Sequence, residues 1–293
     1  MLRVQVDDRT REKRQIALVC SLLRCHWCDL HIMEIEVDNK LPIEGKEPYP
    51  PVDFITGMVI GVDKPYRWTS FDVVKRIRGA IQKRLQVKKF KVGHAGTLDP
   101  LATGVLIVCT GRATRNIETL QAGFKEYEAT IRLGATTPSF DLETEIDSTS
   151  PYEHITREEV DNVLKPFVGH IMQVPPVFSA VKIDGKRAYK YARKGKEVEL
   201  KPKPLEIKEI EILDFNLPNV TLRIVCSKGT YIRAIARDLG EALGCGAHLV
   251  ALRRTRVGDI GLSQCLSLDE TLEMISKSPI QFPDDYTLHE TNS

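Results

Sequence analysis

Gly93-His94-Ala95-Gly96-Thr97-Leu98-Asp99-Pro100-Leu101-Ala102-Thr103-Gly104 runs directly into the apolar stretch Val105–Cys109 and is the densest unusual segment of this 293-residue chain. Glycines flank a single carboxylate set before a proline, ahead of a continuous apolar run of the kind a buried strand shows. The segment lacks the Gly-Lys-Ser/Thr of a Walker loop and the paired histidines of an HExxH helix. It reads as a loop on a rigid scaffold, where chemistry often sits. Asp-Pro is also a common turn pair, so on these residues alone Asp99 has both a functional and a purely structural reading.

Upstream, Ser70 is placed to cap a helix running to about Leu85, with Phe71, Val74, Ile77, Ala80 and Ile81 at helical spacing. Downstream, Glu126–Leu133 alternates, with Tyr127, Ala129, Ile131 and Leu133 on one face. Thr156 with Glu159 makes a capping box before Val160, Val163, Leu164 and Phe167. Val220–Cys226 is another alternating strand. It leads through Lys228-Gly229 into a helix bearing Ile232, Ile235, Leu239 and Leu243, with Gly244 past its end. Ser267 with Glu270 repeats the capping box before Leu272, Met274 and Ile275. Strands and helices mix without a regular βαβ period, which favours an α+β fold over a doubly wound one. Tyr127 lies on an apolar face and fits an ordinary core tyrosine as well as a site residue. Arg233, beside Tyr231 at the start of its helix, fits a surface arginine equally.

The bulk charge excludes little: 42 Lys and Arg against 40 Asp and Glu leave a formal +2. Split by position, the picture changes. Residues 58–256 hold 33 basic and 23 acidic side chains, a net of +10, between ends that are −2 and −6. Within that span, 75–91 carries eight Lys or Arg and no acid. A second cluster runs from Lys182 to Lys203, and Arg253, Arg254 and Arg256 form a third. Several basic clusters together suit a nucleic-acid surface.

No stretch approaches the roughly 18 apolar residues a membrane helix needs. Ile16–Leu23 faintly resembles a signal peptide, but Arg24 follows it and no small-x-small cleavage site appears. The seven cysteines are odd in number and irregular in spacing, which reads as reduced cytosolic thiols. Cys25-His26-Trp27-Cys28, near His31, lacks the second pair a zinc site usually needs. Residues 1–32 lack clear periodicity, and Met33 offers a second start before the proline-rich stretch at Pro42, Pro48, Pro50 and Pro51. The expected organisation is an N-terminal extension over 1–56, a folded core over 57–258 and a short acidic tail over 259–293.

GHAGTLDPLATGVL at 93–106 closely resembles the catalytic motif of the TruB family of tRNA pseudouridine synthases. Five further blocks follow the family's order: Asp63-Lys64-Pro65 with Thr69-Ser70; YEATIRLG at 127–134; VPPVFSAVKIDGKRAYKYARKG at 174–195; SKGTYIRAIARDLG at 227–240; and GAHLVALRRTRVG at 246–258. The resemblance implies the pseudouridine synthase fold, with a mixed, mainly antiparallel central sheet and an RNA-gripping insertion at about 174–203. It implies isomerisation of uridine 55 in the T-loop of tRNA, with no cofactor or metal; a cytoplasmic protein is expected from the thiols, and a monomer is the working expectation. Asp99 matches the nucleophilic aspartate, Tyr127 the tyrosine that stacks on the base and Arg233 the arginine that pairs with the aspartate. His94, Tyr231, Leu252 and Lys64 match residues around the uridine. Lys83, Arg84, Lys88, Lys89, Lys182, Arg187 and Arg193 are the expected grip on the RNA backbone.

Two departures stand out. Arg67 occupies a place where the family's first motif usually has glycine, with Trp68 next. Only 35 residues follow Gly258, too few for the PUA-type RNA-binding domain that ends the family's longer members. The alternatives to a tRNA enzyme are the related guide-dependent branch acting on ribosomal RNA, and a non-catalytic tRNA-binding chaperone.

Overall fold

The computed structural model describes residues 49–283, apart from 180, 184–185, 189–190, 192–197 and 199. Residues 1–48, with Cys20, Cys25, Cys28, His31 and the alternative start at Met33, lie outside the described residues.

Strand β1 (Val59–Lys64) leads into helix α1 (Ser70–Leu85), followed by β2 (Val92–Ala95), β3 (Ala102–Thr110) and the short α2 (Ile117–Ala122). Next come β4 (Lys125–Leu133), the small pair β5 (Ala135–Thr136) and β6 (Ser148–Thr149), α3 (Arg157–Leu164) and β7 (Gly169–Gln173). The short β8 (Lys182–Ile183) and β9 (Lys186–Arg187) precede the long β10 (Lys203–Asn216) and β11 (Asn219–Cys226). The chain continues through α4 (Ile232–Ala242), β12 (Ala247–Val257), β13 (Ile260–Gly261), β14 (Leu266–Ser267) and α5 (Leu268–Lys277).

Ten strands form one sheet in the order β14-β1-β3-β12-β4-β11-β10-β7, with β2 added to β3 and β13 to β12. β1 with β14 and β3 with β12 run parallel; the other pairings are antiparallel. The class is α+β with a mixed, mainly antiparallel sheet, as the residue pattern implies.

The elements follow from their residues. β4 alternates as expected, with Tyr127, Ala129, Ile131 and Leu133 all buried. α1 buries Val73, Val74, Ile77 and Ile81. Phe71 departs from the expected stripe and is 61% exposed. The cap also differs. Thr69 is the N-cap, in a reciprocal box with Asp72. Ser70 lies inside the first turn, and its hydroxyl is used elsewhere.

Two clusters fill most of the core. One lies between α1, α5 and the β1–β3 region, with Ile60, Val62, Ile77, Leu106 and Met274. The other lies between α3, α4 and the β4–β11–β10 region, with Ile131, Leu222, Ile235 and Leu239. Val52 and Phe54 are buried in the first, ahead of the expected boundary at Gly57, and Val52 bridges Ile280. The stretch after Gly258 is woven into the same core. β14 pairs along β1, and α5 buries Met274 and Ile275. β14 is the edge strand on this side and pairs with β1 at Val62 and Asp63.

The connection between β7 and β10 leaves and returns at one place, because Gln173 pairs with Lys203. The region read as an RNA-gripping insertion therefore springs from a strand pair whose end abuts the start of α4.

Candidate active site

Asp99 sits on the loop between β2 and β3, and both neighbours of its peptide are clamped. Leu98 is held by the Ser70 hydroxyl, which accepts from the Leu98 amide at 2.8 Å and donates to its carbonyl at 3.1 Å. The Pro100 carbonyl accepts the Arg67 amide at 2.9 Å and the Lys64 ammonium at 3.3 Å. Ala102 then donates its amide to the Asp99 carbonyl at 3.1 Å, closing the turn. Such clamping fixes a side chain more firmly than loop sequence alone can.

The parallel pairing of β3 with β12 sets Ala102 opposite Leu252 and Gly104 opposite Arg254. It brings the two backbones so close that a Cβ at position 104 would stand 2.1 Å from the Arg254 carbonyl oxygen. Gly104 also has φ +99, in the region that favours glycine. The last glycine of the motif is therefore a packing requirement of the site.

Arg233, in the first turn of α4, reaches the same place. Its Nε lies 2.9 Å from the Asp99 carboxylate and 3.5 Å from that of Asp141. Its remaining nitrogens donate to the Ser139 carbonyl at 3.2 Å and the Phe178 carbonyl at 3.1 Å. The Arg233 side chain is 4% exposed and Asp141 is 7%, whereas Asp99 is 40% exposed. One carboxylate thus backs the guanidinium from within while the other stands at the cleft. Asp99, Asp141, Arg233, Leu101, Leu249 and Leu252 line a shallow cleft. Tyr231, the N-cap of α4, is held by Gln173, which accepts its amide at 2.9 Å and donates to its carbonyl at 3.1 Å. Gln173 so ties the root of the insertion to the arginine's helix.

Tyr127 is 8% exposed and packs in one cluster with Leu98 and Ala102. Burial pushes its phenol above the ordinary tyrosine range, against the opposing charge of Arg254. Tyr231 is raised by burial too. His94, on β2, is held below the ordinary histidine range by burial and then by the Arg254 charge, so its imidazole is neutral at pH 7.

Two expectations require correction. Lys64 is fully buried, and its ammonium donates to the carbonyls of Pro65, Trp68 and Pro100 at 3.0, 2.5 and 3.3 Å. It braces the site from behind and does not present itself to a substrate. Burial lowers it to about 8, with the Asp99 charge opposing. The basic cluster at 253–256 is no open phosphate grip either. Arg253 is paired with Asp63 at 2.7 Å and Arg256 with Glu126 at 3.2 Å. Arg254 is 1% exposed and donates to the Val105 carbonyl at 2.7 Å and the Gly96 carbonyl at 3.1 Å.

Arg254, Asp141, Gln173 and Ser70 are the parts of this arrangement that the residue pattern does not disclose as such. Arg254 holds the first residue of the Asp99 loop to the strand that follows it. Arg254→Met removes two buried charge-assisted hydrogen bonds, to the Val105 and Gly96 carbonyls, worth about 1.5–3 kcal/mol each. Its melting temperature is expected to fall by several degrees in a thermal scan, with slower turnover as the loop loosens. A variant melting with the wild type would remove this role.

Lys83, Arg84, Lys88 and Lys89 lie on the end of α1 and the segment after it, with Lys83, Arg84 and Lys89 at least partly open to solvent and Lys88 exposed beside them. Lys182 and Arg187 are described by backbone only, and Arg193 lies outside the described residues. Burial lifts the Cys109 and Cys226 thiols to about 11 and Cys265 to about 12, which keeps them protonated at neutral pH. Among the described residues no helix is long and apolar enough to cross a membrane, and no group of three or more His, Cys, Asp or Glu is placed to hold a metal ion.

Comparison with known proteins gives a consistent picture. Residues 82–232 match the family model described as TruB family pseudouridylate synthase (N terminal domain). Residues 233–281 match the tRNA pseudouridylate synthase B C-terminal domain. The tRNA pseudouridine synthase B of Parabacteroides distasonis is 58% identical over 234 residues, covering 80% of this chain and 100% of that protein. The protein of the same name from Phocaeicola vulgatus is 62% identical over 230 residues, covering 78% and 98%. Among solved structures, a crystal structure of a Cbf5-Nop10-Gar1 complex superposes with a TM-score of 0.56 at 29% identity, over 77% of this chain and 60% of that one.

Proposed function

The chain belongs to the TruB family of pseudouridylate synthases, and from that premise we propose that it isomerises uridine 55 in the T-loop of tRNA, with Asp99 as the acting carboxylate. It is a tRNA pseudouridine synthase, an isomerase. The observation that carries the assignment of Asp99 is its ion pair with Arg233, 2.9 Å, at the mouth of a cleft.

The reaction breaks the C1′–N1 bond of one nucleoside and forms C1′–C5; the proton that C5 gives up is balanced by one that the freed N1 takes up. No atom is gained from a second substrate and no electron is transferred, so the reading calls for no cofactor. A fixed carboxylate can attack C1′, attack the base or begin an elimination. Arg233 serves all three by orienting Asp99 through a charge-assisted bond. Asp141 and the two carbonyls orient Arg233 in turn. The raised phenol of Tyr127 stays protonated at neutral pH, which favours a ring that supports the base over a general base. The target must leave its stack to reach the cleft, as for other enzymes that act on bases. His94, neutral and on the strand that leads into the loop, is suited to contacting the rearranged RNA. The cytoplasm, where tRNA is met, is the expected place of action.

The stand-alone reading is favoured over a guide-dependent one by the curated relatives, whose full length the chain spans at 58–62% identity. An unmodified tRNA transcript incubated with this protein alone is expected to gain pseudouridine at position 55 only, as mapped by chemical labelling. A requirement for guide RNA, or modification elsewhere, would overturn the reading. Neutralising Lys83, Arg84, Lys88 and Lys89 together is expected to weaken tRNA binding and flatten its salt dependence. The log–log slope should fall by roughly 0.7–0.9 for each phosphate the variant leaves without a cation. An unchanged slope would take this patch out of the interface.

A further inference from the structure

We propose that the turn Tyr66-Arg67-Trp68, with the adjoining basic face of α1, is a docking platform for unpaired nucleotides of the tRNA, beside the nucleotide that enters the Asp99 cleft. The proposal rests on the tRNA reading above and adds a contact surface to it.

Four observations converge on this turn. Tyr66, Trp68 and Phe71 are 49%, 37% and 61% exposed, three large aromatic side chains within six residues. Arg67 has φ +66, in the left-handed region that favours glycine, yet the residue is an arginine. Its guanidinium forms no ion pair with a described residue and stands 5.6 Å from the centre of the Tyr66 ring. A side chain kept at a disfavoured backbone angle, without an ion pair to hold it, points to a use outside the fold. The turn is also rigidly joined to the site. The Arg67 amide donates to the Pro100 carbonyl, and the Lys64 ammonium bonds both the Trp68 and Pro100 carbonyls. The platform and Asp99 are therefore one mechanical unit.

The fourth observation selects the occupant. A groove between the turn and α1, about 1220 Å³ with its mouth, is lined by Arg67, Trp68, Lys75, Arg76 and Lys83. Its one carboxylate, Asp72, is engaged in the α1 cap. Lys75, Arg76 and Lys83 form no ion pair with a described residue. Four such cations beside exposed rings suit a polyanion with flat faces. A protein partner would favour an interface core poor in charge. Base stacking on aromatic side chains along a basic groove is how single-stranded nucleic acid is held.

The chain has two tryptophans, Trp27 and Trp68. In Trp27→Phe protein, Trp68 alone reports by fluorescence. Titration with tRNA transcript is expected to quench it. Trp68→Ala and Arg67→Gly are each expected to raise the tRNA Kd about five- to tenfold, the lower part of the stacking range. Arg67→Gly should melt no lower than wild type, since glycine suits φ +66; this separates lost binding from misfolding. If the wild type forms pseudouridine, yet both variants bind tRNA as it does and Trp68 emission is unmoved at saturation, the proposal fails and the function stands. If the wild type forms no pseudouridine in tRNA, the functional reading fails and the proposal with it.

Discussion

Asp99→Asn is expected to fold, to bind tRNA within about twofold of wild type, and to form pseudouridine at least about 10⁴-fold more slowly, the order seen when a covalent or base group is removed. Folding survives for a structural reason. Arg233 keeps Asp141 at 3.5 Å and the carbonyls of Ser139 and Phe178 as partners. The asparagine oxygen can still accept from the Arg233 Nε. What the variant loses is the charge and nucleophilicity of one oxygen that stands at the cleft. Single-turnover pseudouridine formation and filter binding on the same preparation test both halves. Turnover within tenfold of wild type would remove Asp99 from its role.

Arg233→Met has the second large effect, and it falls on stability as well as rate. The guanidinium lies between two carboxylates, and Asp141 is 7% exposed. Removing the arginine leaves that carboxylate buried without a cation, which costs about 3–5 kcal/mol in comparable sites. Asp99 loses its orienting bond at the same time. The double variant Arg233→Met with Asp141→Asn removes the uncompensated charge. It is expected to regain most of the lost stability in a denaturant titration, while pseudouridine formation stays near the single variant's level. Activity returning with stability would mean that Arg233 serves only the fold.

Much of the site is readable along the chain because it is built from local signals. The glycines around Asp99, the alternation that turns Tyr127 inward, and the strand–turn–helix that delivers Arg233 are patterns within a dozen residues. The capping boxes at Thr156 and Ser267 are of the same kind, and both form as expected. Ser70 shows where such reading falls short. A hydroxyl beside a helix start reads as a cap, but Thr69 takes that role and Ser70 clamps Leu98, 28 residues away. Phe71 fits the helical stripe by spacing alone, yet no described element covers that side of the first turn.

The basic residues divide for a related reason. Lys83 and Lys89 are exposed. Arg254 has the same chemistry in sequence and the opposite fate, because β12 pairs parallel to β3 and turns that side chain behind the Asp99 loop. Lys64 is similar: adjacency in a motif does not say on which side of the loop its ammonium ends. The acidic C-terminal stretch reads as a tail because its charge is conspicuous and its partner strand, β1, lies some 200 residues earlier.

Sequence alone determines which residues this chain offers for chemistry: a carboxylate on a glycine-flanked loop, an inward tyrosine, an arginine opening a helix, and a core of net +10 hidden between acidic ends. Those follow from spacing, backbone preference and charge, all local properties. Only the tertiary structure decides which of them meet. Asp99 and Arg233 are 134 residues apart in the chain and 2.9 Å apart in space. Pairings across the sheet, not propensities along the chain, close that distance. They also choose Asp141 and Arg254 as the buried charges that hold the site in place.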